Sequence, residues 1–78
     1  MATPQSIEAS IRNGLACDVV EVRGDGHHFE ARIVCAAFRN LSRIARHRLV
    51  YAAMGDRMRE EVHALSMTTL TPEEAANG

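Results

Sequence analysis

The sequence has 78 residues, of which 46% are hydrophobic and 24% charged, and its formal net charge is -1. These values are ordinary for a globular domain, and they exclude an intrinsically disordered chain and a protein held to nucleic acid by its overall charge. No apolar run approaches the roughly 20 residues of a membrane-spanning helix, and the N-terminus lacks the pattern of a signal peptide. We therefore expect a single domain over residues 1–78, located in the cytoplasm and without a membrane partner.

A short helix is predicted at the start of the chain. Thr3 is a typical N-cap residue, Pro4 suits the first helical position, and Gly14 is a natural stop. Apolar residues at four-residue spacing indicate the face that this helix buries: Ile7, Ile11 and Leu15.

An antiparallel hairpin is predicted next. Residues 18–23 contain three β-branched valines, and residues 28–36 alternate between apolar and polar side chains. The turn at residues 24–26 contains two glycines, which permit the positive φ angles of a tight turn. One face of the second strand is predicted to lie in the core: Phe29, Ala31, Ile33 and Cys35. The other face is more polar and carries His28, Glu30 and Arg32.

The longest predicted helix runs from Asn40, as its N-cap, to the neighbourhood of Gly55. Val50 and Met54 are expected between its apolar and its cationic face. The apolar face, which we predict to pack on the sheet, consists of residues at three- and four-residue spacing: Leu41, Ile44, Ala45, Leu49 and Ala52.

The last part of the chain predicts a third strand and a final helical turn. Residues 62–69 are strand-like, with Leu65 and Met67 assigned to the core, and residues 71–74 form a capping box with proline at the first helical position. The order is α-β-β-α-β-α, and the helical crossover makes the second and third strands parallel if they are neighbours. The prediction is an α/β (α+β) two-layer domain in which helices cover one side of a three-stranded mixed sheet.

Several short motifs, in this order and at this separation, resemble the BolA family. The turn Gly24-Asp25-Gly26-His27-His28-Phe29 is similar to that of its IbaG/YrbA-type bacterial branch. The resemblance covers almost the whole chain after Ile7 and implies a KH-like fold, in agreement with the predicted order. It rests on His28-Phe29, Phe38, Arg46-His47-Arg48-Leu49-Val50-Tyr51, Val62-His63-Ala64-Leu65-Ser66 and Thr71-Pro72-Glu73-Glu74.

Two positions depart from the family's pattern. Asn40 stands where the family usually has glycine in a Phe-x-Gly turn, and asparagine tolerates the left-handed backbone region better than most residues. Ala75 stands where the family often has tryptophan. Any surface that the tryptophan builds in the family is therefore not carried over to this chain.

The resemblance implies a regulator or adaptor rather than an enzyme. Its partner would be a monothiol glutaredoxin with glutathione, and the two proteins would share a [2Fe-2S] cluster in iron–sulfur cluster handling and the stress response. Two imidazoles can replace two thiolates on one iron of such a cluster. The family's C-terminal histidine ligand corresponds to His63, and its loop ligand corresponds to either His27 or His28. The isolated chain is not expected to hold a cofactor, and because a bound imidazole must be neutral, binding should weaken below about pH 6–6.5.

The alternative function is transcriptional regulation through DNA binding by the basic face of the long helix. This face is predicted to carry Arg43, Arg46, His47 and Arg48, which could instead contact the protein partner. KH domains clamp nucleic acid with a GXXG loop between two helices, and the sequence has none at that place. Four phosphate contacts would give weak binding that depends steeply on salt.

Catalytic motifs are absent from the sequence, which has neither a P-loop nor a Ser-His-Asp arrangement. Glu61, two residues before His63, could orient that imidazole. The two cysteines form no CxxC motif and are too few for a secreted disulfide scaffold. Cys35 is predicted to be a core residue, and Cys17 has no assigned function.

Overall fold

The computed structural model describes residues 2–56, 62 and 64–77. The sequence also predicts a polar link at residues 56–61. All of this link except Asp56 lies outside the described residues, and so does the predicted ligand His63. Helices and strands follow one another in the predicted order α-β-β-α-β-α, which confirms the α+β fold class. The elements are α1 (Pro4–Gly14), β1 (Val19–Gly24), β2 (Phe29–Val34), a 3-10 turn (Ala36–Phe38), α2 (Arg43–Met54), β3 (Leu65–Leu70) and α3 (Pro72–Asn77).

Helix α1 begins and ends where the local signals place it. The Thr3 hydroxyl accepts a hydrogen bond from the Ser6 N–H at 3.1 Å, and the Ser6 hydroxyl accepts one from the Thr3 N–H at 2.8 Å. Ile7 and Ile11 are fully buried. At the other end, a Cβ atom on Gly14 would lie 2.7 Å from Ala53, so α1 meets α2 at a distance that only glycine permits.

The three strands form one mixed sheet in the order β1-β2-β3. Strand β1 pairs antiparallel with β2, with Val19 opposite Val34 and Gly24 opposite Phe29. Strand β3 pairs parallel with β2, with Phe29 opposite Leu65. The predicted parallel pairing through a helical crossover is therefore confirmed, and β2 is the central strand.

The two faces of β2 differ as its alternating sequence predicts. Its core face is buried, and Cys35 continues that face beyond the end of the strand. The other face bears two exposed cross-strand ion pairs, between Glu21 and Arg32 at 3.7 Å and between Arg23 and Glu30 at 3.6 Å. On β3, the predicted core residues Leu65 and Met67 are partly buried against the core.

The predicted apolar face of α2 is wrong in part, since Leu49 packs against the core as predicted. Ile44 is 65% exposed and Ala52 is exposed, whereas Val50 is fully buried and Met54 is 6% exposed. The buried face also includes Arg46, whose side chain is only 13% exposed. An arginine can face the core here because residues far away in the sequence satisfy its guanidinium, which a count of apolar spacing does not register.

The start of α2 also differs from the prediction. Ser42, not Asn40, is the N-cap, and its hydroxyl accepts a hydrogen bond from the Ala45 N–H at 3.2 Å. Asn40 has a φ of 64° and forms the left-handed turn that precedes the helix. Asn40 therefore adopts the left-handed conformation that it was expected to tolerate in place of the glycine usual in the family.

Helix α3 opens with the predicted capping box. The Thr71 N–H donates to Glu74 Oε1 at 2.8 Å, and the Glu74 N–H donates to Thr71 Oγ1 at 3.1 Å.

None of the described helices is long and apolar enough to cross a lipid bilayer.

Candidate metal and partner-binding sites

The histidine-containing turn between β1 and β2 is organised by one carboxylate. Asp25 Oδ1 accepts hydrogen bonds from the backbone N–H groups of His27 and His28, both at 2.8 Å. Gly26 has a φ of 98°, and the Asp25 N–H donates to the His28 carbonyl at 3.2 Å. The turn therefore holds its backbone in place while both histidines are exposed.

The same hydrogen bonds stabilise the charged form of Asp25. They lower the pKa of its carboxyl below the ordinary value, with the bond from His28 contributing most and the bond from His27 next. Asp25 thus carries a negative charge at neutral pH in the same turn as the two histidines. This placement favours a cation or a metal centre over an anion at the tip of the turn.

Strand β3 brings the second predicted histidine segment to this turn. The Phe29 N–H donates to the Ala64 carbonyl at 2.9 Å, and Phe29 lies opposite Leu65 in the parallel register. The residue that directly follows His28 is therefore hydrogen-bonded to the residue that directly follows His63. His63 itself, and Glu61 as its proposed orienting partner, lie outside the described residues.

Two imidazoles would be only half of the ligand set of an iron–sulfur cluster. Within residues 2–56, 62 and 64–77, no group of three or more histidine, cysteine or acidic side chains is arranged to hold a metal ion. The exposed histidines of the turn suit a site that a second molecule completes, because such ligands must be accessible from outside.

The side chains of the predicted basic face of α2 lie in different environments in the structure. Arg46 points inward: its guanidinium donates to the carbonyls of Leu41 and Thr69, both at 3.0 Å, and to Glu74 Oε1 at 2.7 Å. It also lies 5.9 Å from the centre of the Phe38 ring. The positive charge of Arg46 is thus compensated inside the protein.

The other residues of the basic face differ from one another in exposure and in hydrogen bonding. Arg43 and Arg48 are exposed, and so is Ile44. His47 is half-buried, and its Nε2 atom has no hydrogen-bond partner among the residues that the structure describes. Arg39, just before the helix, is occupied by a bidentate pair with Glu73 at 2.8 and 2.6 Å.

A groove of about 640 Å³ separates the first turns of α2 from the outer edge of β3. Arg43 and His47 line one side, Met67 and Thr69 line the other, and Glu74 lies at the end of the groove.

Of the predicted basic residues, only Arg43 and Arg48 offer exposed guanidinium groups for a partner. The role of Glu74 as the partner of Arg46 was not predicted, because the capping box indicates only its local hydrogen bonds.

Comparison with known proteins gives a consistent result. The family model described as BolA-like protein matches residues 7–74. The DNA-binding transcriptional regulator BolA of Haemophilus influenzae is 36% identical over 52 residues, which cover 67% of this chain and 50% of that protein. BolA-like protein 1 of Homo sapiens is 36% identical over 80 residues, covering 85% of this chain and 58% of that protein.

Among solved structures, a BolA protein homologue from Coxiella burnetii superposes with a TM-score of 0.86 and 44% sequence identity. The match covers 97% of this chain and 99% of that chain. By contrast, the match covers only 50% and 58% of the length of the two curated relatives named above.

Proposed function

Because the chain belongs to the BolA-like protein family, we propose that it is a regulator or adaptor that shares a [2Fe-2S] cluster with a monothiol glutaredoxin and glutathione. It would act by binding and not by catalysis. His63 and one histidine of the turn, His27 or His28, would provide two imidazole ligands, and the partner and glutathione would provide sulfur ligands. The cluster, when bound, would supply an iron centre that can be passed on or can change its redox state.

The observation that carries this proposal is the hydrogen bond between Phe29 and Ala64. It joins the two segments that contain the proposed ligands, although they are far apart in the sequence. The ionised carboxylate of Asp25, in the same turn as the histidines, supports a metal centre there. Both histidines of the turn are exposed, so a partner can approach them.

The test is anaerobic reconstitution of the chain with a monothiol glutaredoxin, glutathione, iron and sulfide, followed by visible absorption and circular dichroism. We expect a spectrum that differs from that of the glutaredoxin homodimer, and we expect His63→Ala to abolish the difference. His27→Ala and His28→Ala, measured separately, identify the second ligand, because only one of them should have the same effect.

Arg12→Ala is the control, since Arg12 lies on α1 and is neither a proposed ligand nor a proposed partner contact. Far-ultraviolet circular dichroism checks that each variant is folded. A wild-type mixture that keeps the homodimer spectrum would contradict the proposal, and so would a cluster spectrum unaffected by His63→Ala.

Transcriptional regulation by DNA binding is the second candidate. The exposed guanidinium groups of Arg43 and Arg48 favour it, and the relative from Haemophilus influenzae carries the name of a DNA-binding transcriptional regulator. In this case the double variant Arg43→Ala/Arg48→Ala should make the slope of log K against log salt shallower by about 2, because each lost phosphate contact removes about one unit.

Arg23→Ala is the control for this measurement, because Arg23 is equally cationic and lies on the exposed face of the sheet. The salt slope is obtained from fluorescence anisotropy titrations of a labelled duplex at several salt concentrations. Equal slopes for the wild type and the double variant would exclude these two arginines as the DNA contacts.

A further inference from the structure

The two cysteines, which are distant in the sequence, meet where the α1–β1 connection passes the end of β2. The Cys35 thiol donates to the carbonyl oxygen of Ala16, the residue before Cys17, at a distance of 3.5 Å. Cys17 is partly buried and packs against the core cluster that contains Cys35. Cys35 is also close enough to the Cys17 thiol to raise its pKa. Both cysteines are free thiols.

The backbones beside the two cysteines are fixed relative to each other. The Asp18 N–H donates to the Val34 carbonyl at 2.9 Å, and the antiparallel register places Val19 opposite Val34. Directly opposed residues in such a pair have Cα atoms about 4.5–5.5 Å apart. Cys17 directly precedes Asp18 and Cys35 directly follows Val34, so each cysteine is the chain neighbour of one partner in the Asp18–Val34 hydrogen bond. A disulfide needs Cα atoms about 4.4–6.8 Å apart, and this hydrogen bond keeps the two segments side by side.

We propose that Cys17 and Cys35 form a reversible internal disulfide, which makes this end of the sheet an oxidation site separate from the histidine turn. The histidine turn precedes Phe29 at the start of β2, whereas Cys35 follows Val34 at its end. The disulfide would join the α1–β1 connection covalently to the central strand. This inference does not depend on the proposed cluster function.

A low-molecular-weight disulfide such as oxidised glutathione is the oxidant class that fits this site. The Cys17 thiolate attacks one sulfur of the oxidant, forms a mixed disulfide and releases one glutathione thiolate, which takes up a proton. The Cys35 thiolate, its proton lost to solvent, then attacks the Cys17 sulfur and releases the second glutathione. In total, the protein dithiol loses two electrons and two protons, and one oxidised glutathione becomes two reduced molecules.

The order of these two steps follows from exposure. Cys35 is 1% exposed and cannot meet a tripeptide disulfide, whereas Cys17 is only partly buried. Cys17 is therefore the residue that reacts with the oxidant, and Cys35 is the residue that resolves the mixed disulfide.

The surroundings of Cys17 make the first step slow at neutral pH. Burial raises the pKa of its thiol to about 12, and the neighbouring Cys35 thiol and the charge of Asp18 act in the same direction. The guanidinium of Arg12 on α1 opposes them. Since the thiolate is the nucleophile, the rate of oxidation should rise about tenfold for each pH unit between pH 7 and pH 10.

The test uses the reduced 78-residue chain incubated with oxidised glutathione at pH 9. We expect both free thiols to disappear and the intact mass to fall by two hydrogen atoms, with no glutathione attached. Trypsin cuts after arginine, so the two cysteines lie in different peptides, residues 13–23 and 33–39. Before reduction these peptides should be found joined, and a reducing agent should separate them.

Two variants show which thiol reacts. Cys35→Ser should accumulate the mixed disulfide of Cys17 with glutathione, whereas Cys17→Ser should remain unmodified in the folded state. If either variant fails to fold, Cys35→Ala and Cys17→Ala serve the same purpose. A wild-type protein that stops at the mixed disulfide, forms disulfide-linked dimers or keeps both thiols would overturn the proposal.

Discussion

Arg46 is a charged residue that stabilises the fold by hydrogen bonding to three other segments. Its guanidinium joins the loop before α2, the end of β3 and the first turn of α3, through Leu41, Thr69 and Glu74. From the sequence alone Arg46 resembles the exposed Arg43, because both are arginines on the same predicted helix. What separates them is the position of Thr69 and Glu74, and local spacing contains no information about residues so far along the chain.

Replacement of Arg46 by methionine should lower the free energy of unfolding by about 2–4 kcal/mol. The change leaves two carbonyl oxygens without a donor, and each buried unpaired group costs about 1–3 kcal/mol. Urea denaturation measures the loss. Arg43→Met, on the exposed side of α2, is the control and should stay within about 0.5 kcal/mol of the wild type. Similar losses for both variants would show that Arg46 is not a structural residue.

Asn40 provides a test of backbone conformation. Its φ of 64° lies in the left-handed region, where an ordinary L-residue is disfavoured by about 1–2 kcal/mol and glycine is not. Asn40→Ala should therefore lower the free energy of unfolding by about 1 kcal/mol, and Asn40→Gly should leave it nearly unchanged. Chemical denaturation of the three proteins measures the order. Equal stability of the alanine and glycine variants would contradict the conformational explanation.

The three helices differ in how well local sequence signals predict where they begin and which face they bury. The capping box of α3 and the cap of α1 were predicted correctly, because both depend on residues three positions apart. The start of α2 was misplaced, since Asn40 is used in the turn and Ser42 takes its place as the cap. The buried face of α2 was also missed in part, for it depends on contacts with other elements.

Acid should weaken the attachment of α3 in a defined range of pH. The hydrogen bond from Arg46, followed by that from the Thr71 N–H, lowers the pKa of Glu74 from its ordinary 4.5 to about 2. A carboxyl group with a lowered pKa in the folded state stabilises the fold above its unfolded pKa. That stabilisation is lost as the pH falls from about 4.5 to about 2.

Glu74→Gln should accordingly lower the melting temperature at pH 7 and have little effect near pH 2. Glu73→Gln is the matched control, because Glu73 pairs with Arg39 on the exposed surface and should have a smaller effect. Thermal unfolding followed by circular dichroism at several pH values measures both. A Glu74→Gln effect that is the same at pH 7 and pH 2 would contradict this assignment.

At the scale of the whole molecule, the order of elements and the mixed sheet could be predicted from the sequence. The alternation in β2 and the helical crossover to β3 are strong signals, and together they allow few topologies. The candidate site was predicted only as residue types. That the turn of His27 and His28 meets the segment before β3 depends on the register of Phe29 with Leu65, which the pattern alone does not determine.

The position of β2 between its two partner strands has a consequence for folding during synthesis on the ribosome. Its antiparallel partner β1 precedes it directly, but its parallel partner β3 emerges from the ribosome only after the whole of α2 has been made. During that interval one edge of β2 has no partner strand, and an unpaired apolar edge can associate with other chains. The nascent protein is thus most vulnerable to aggregation just before its last strand is released.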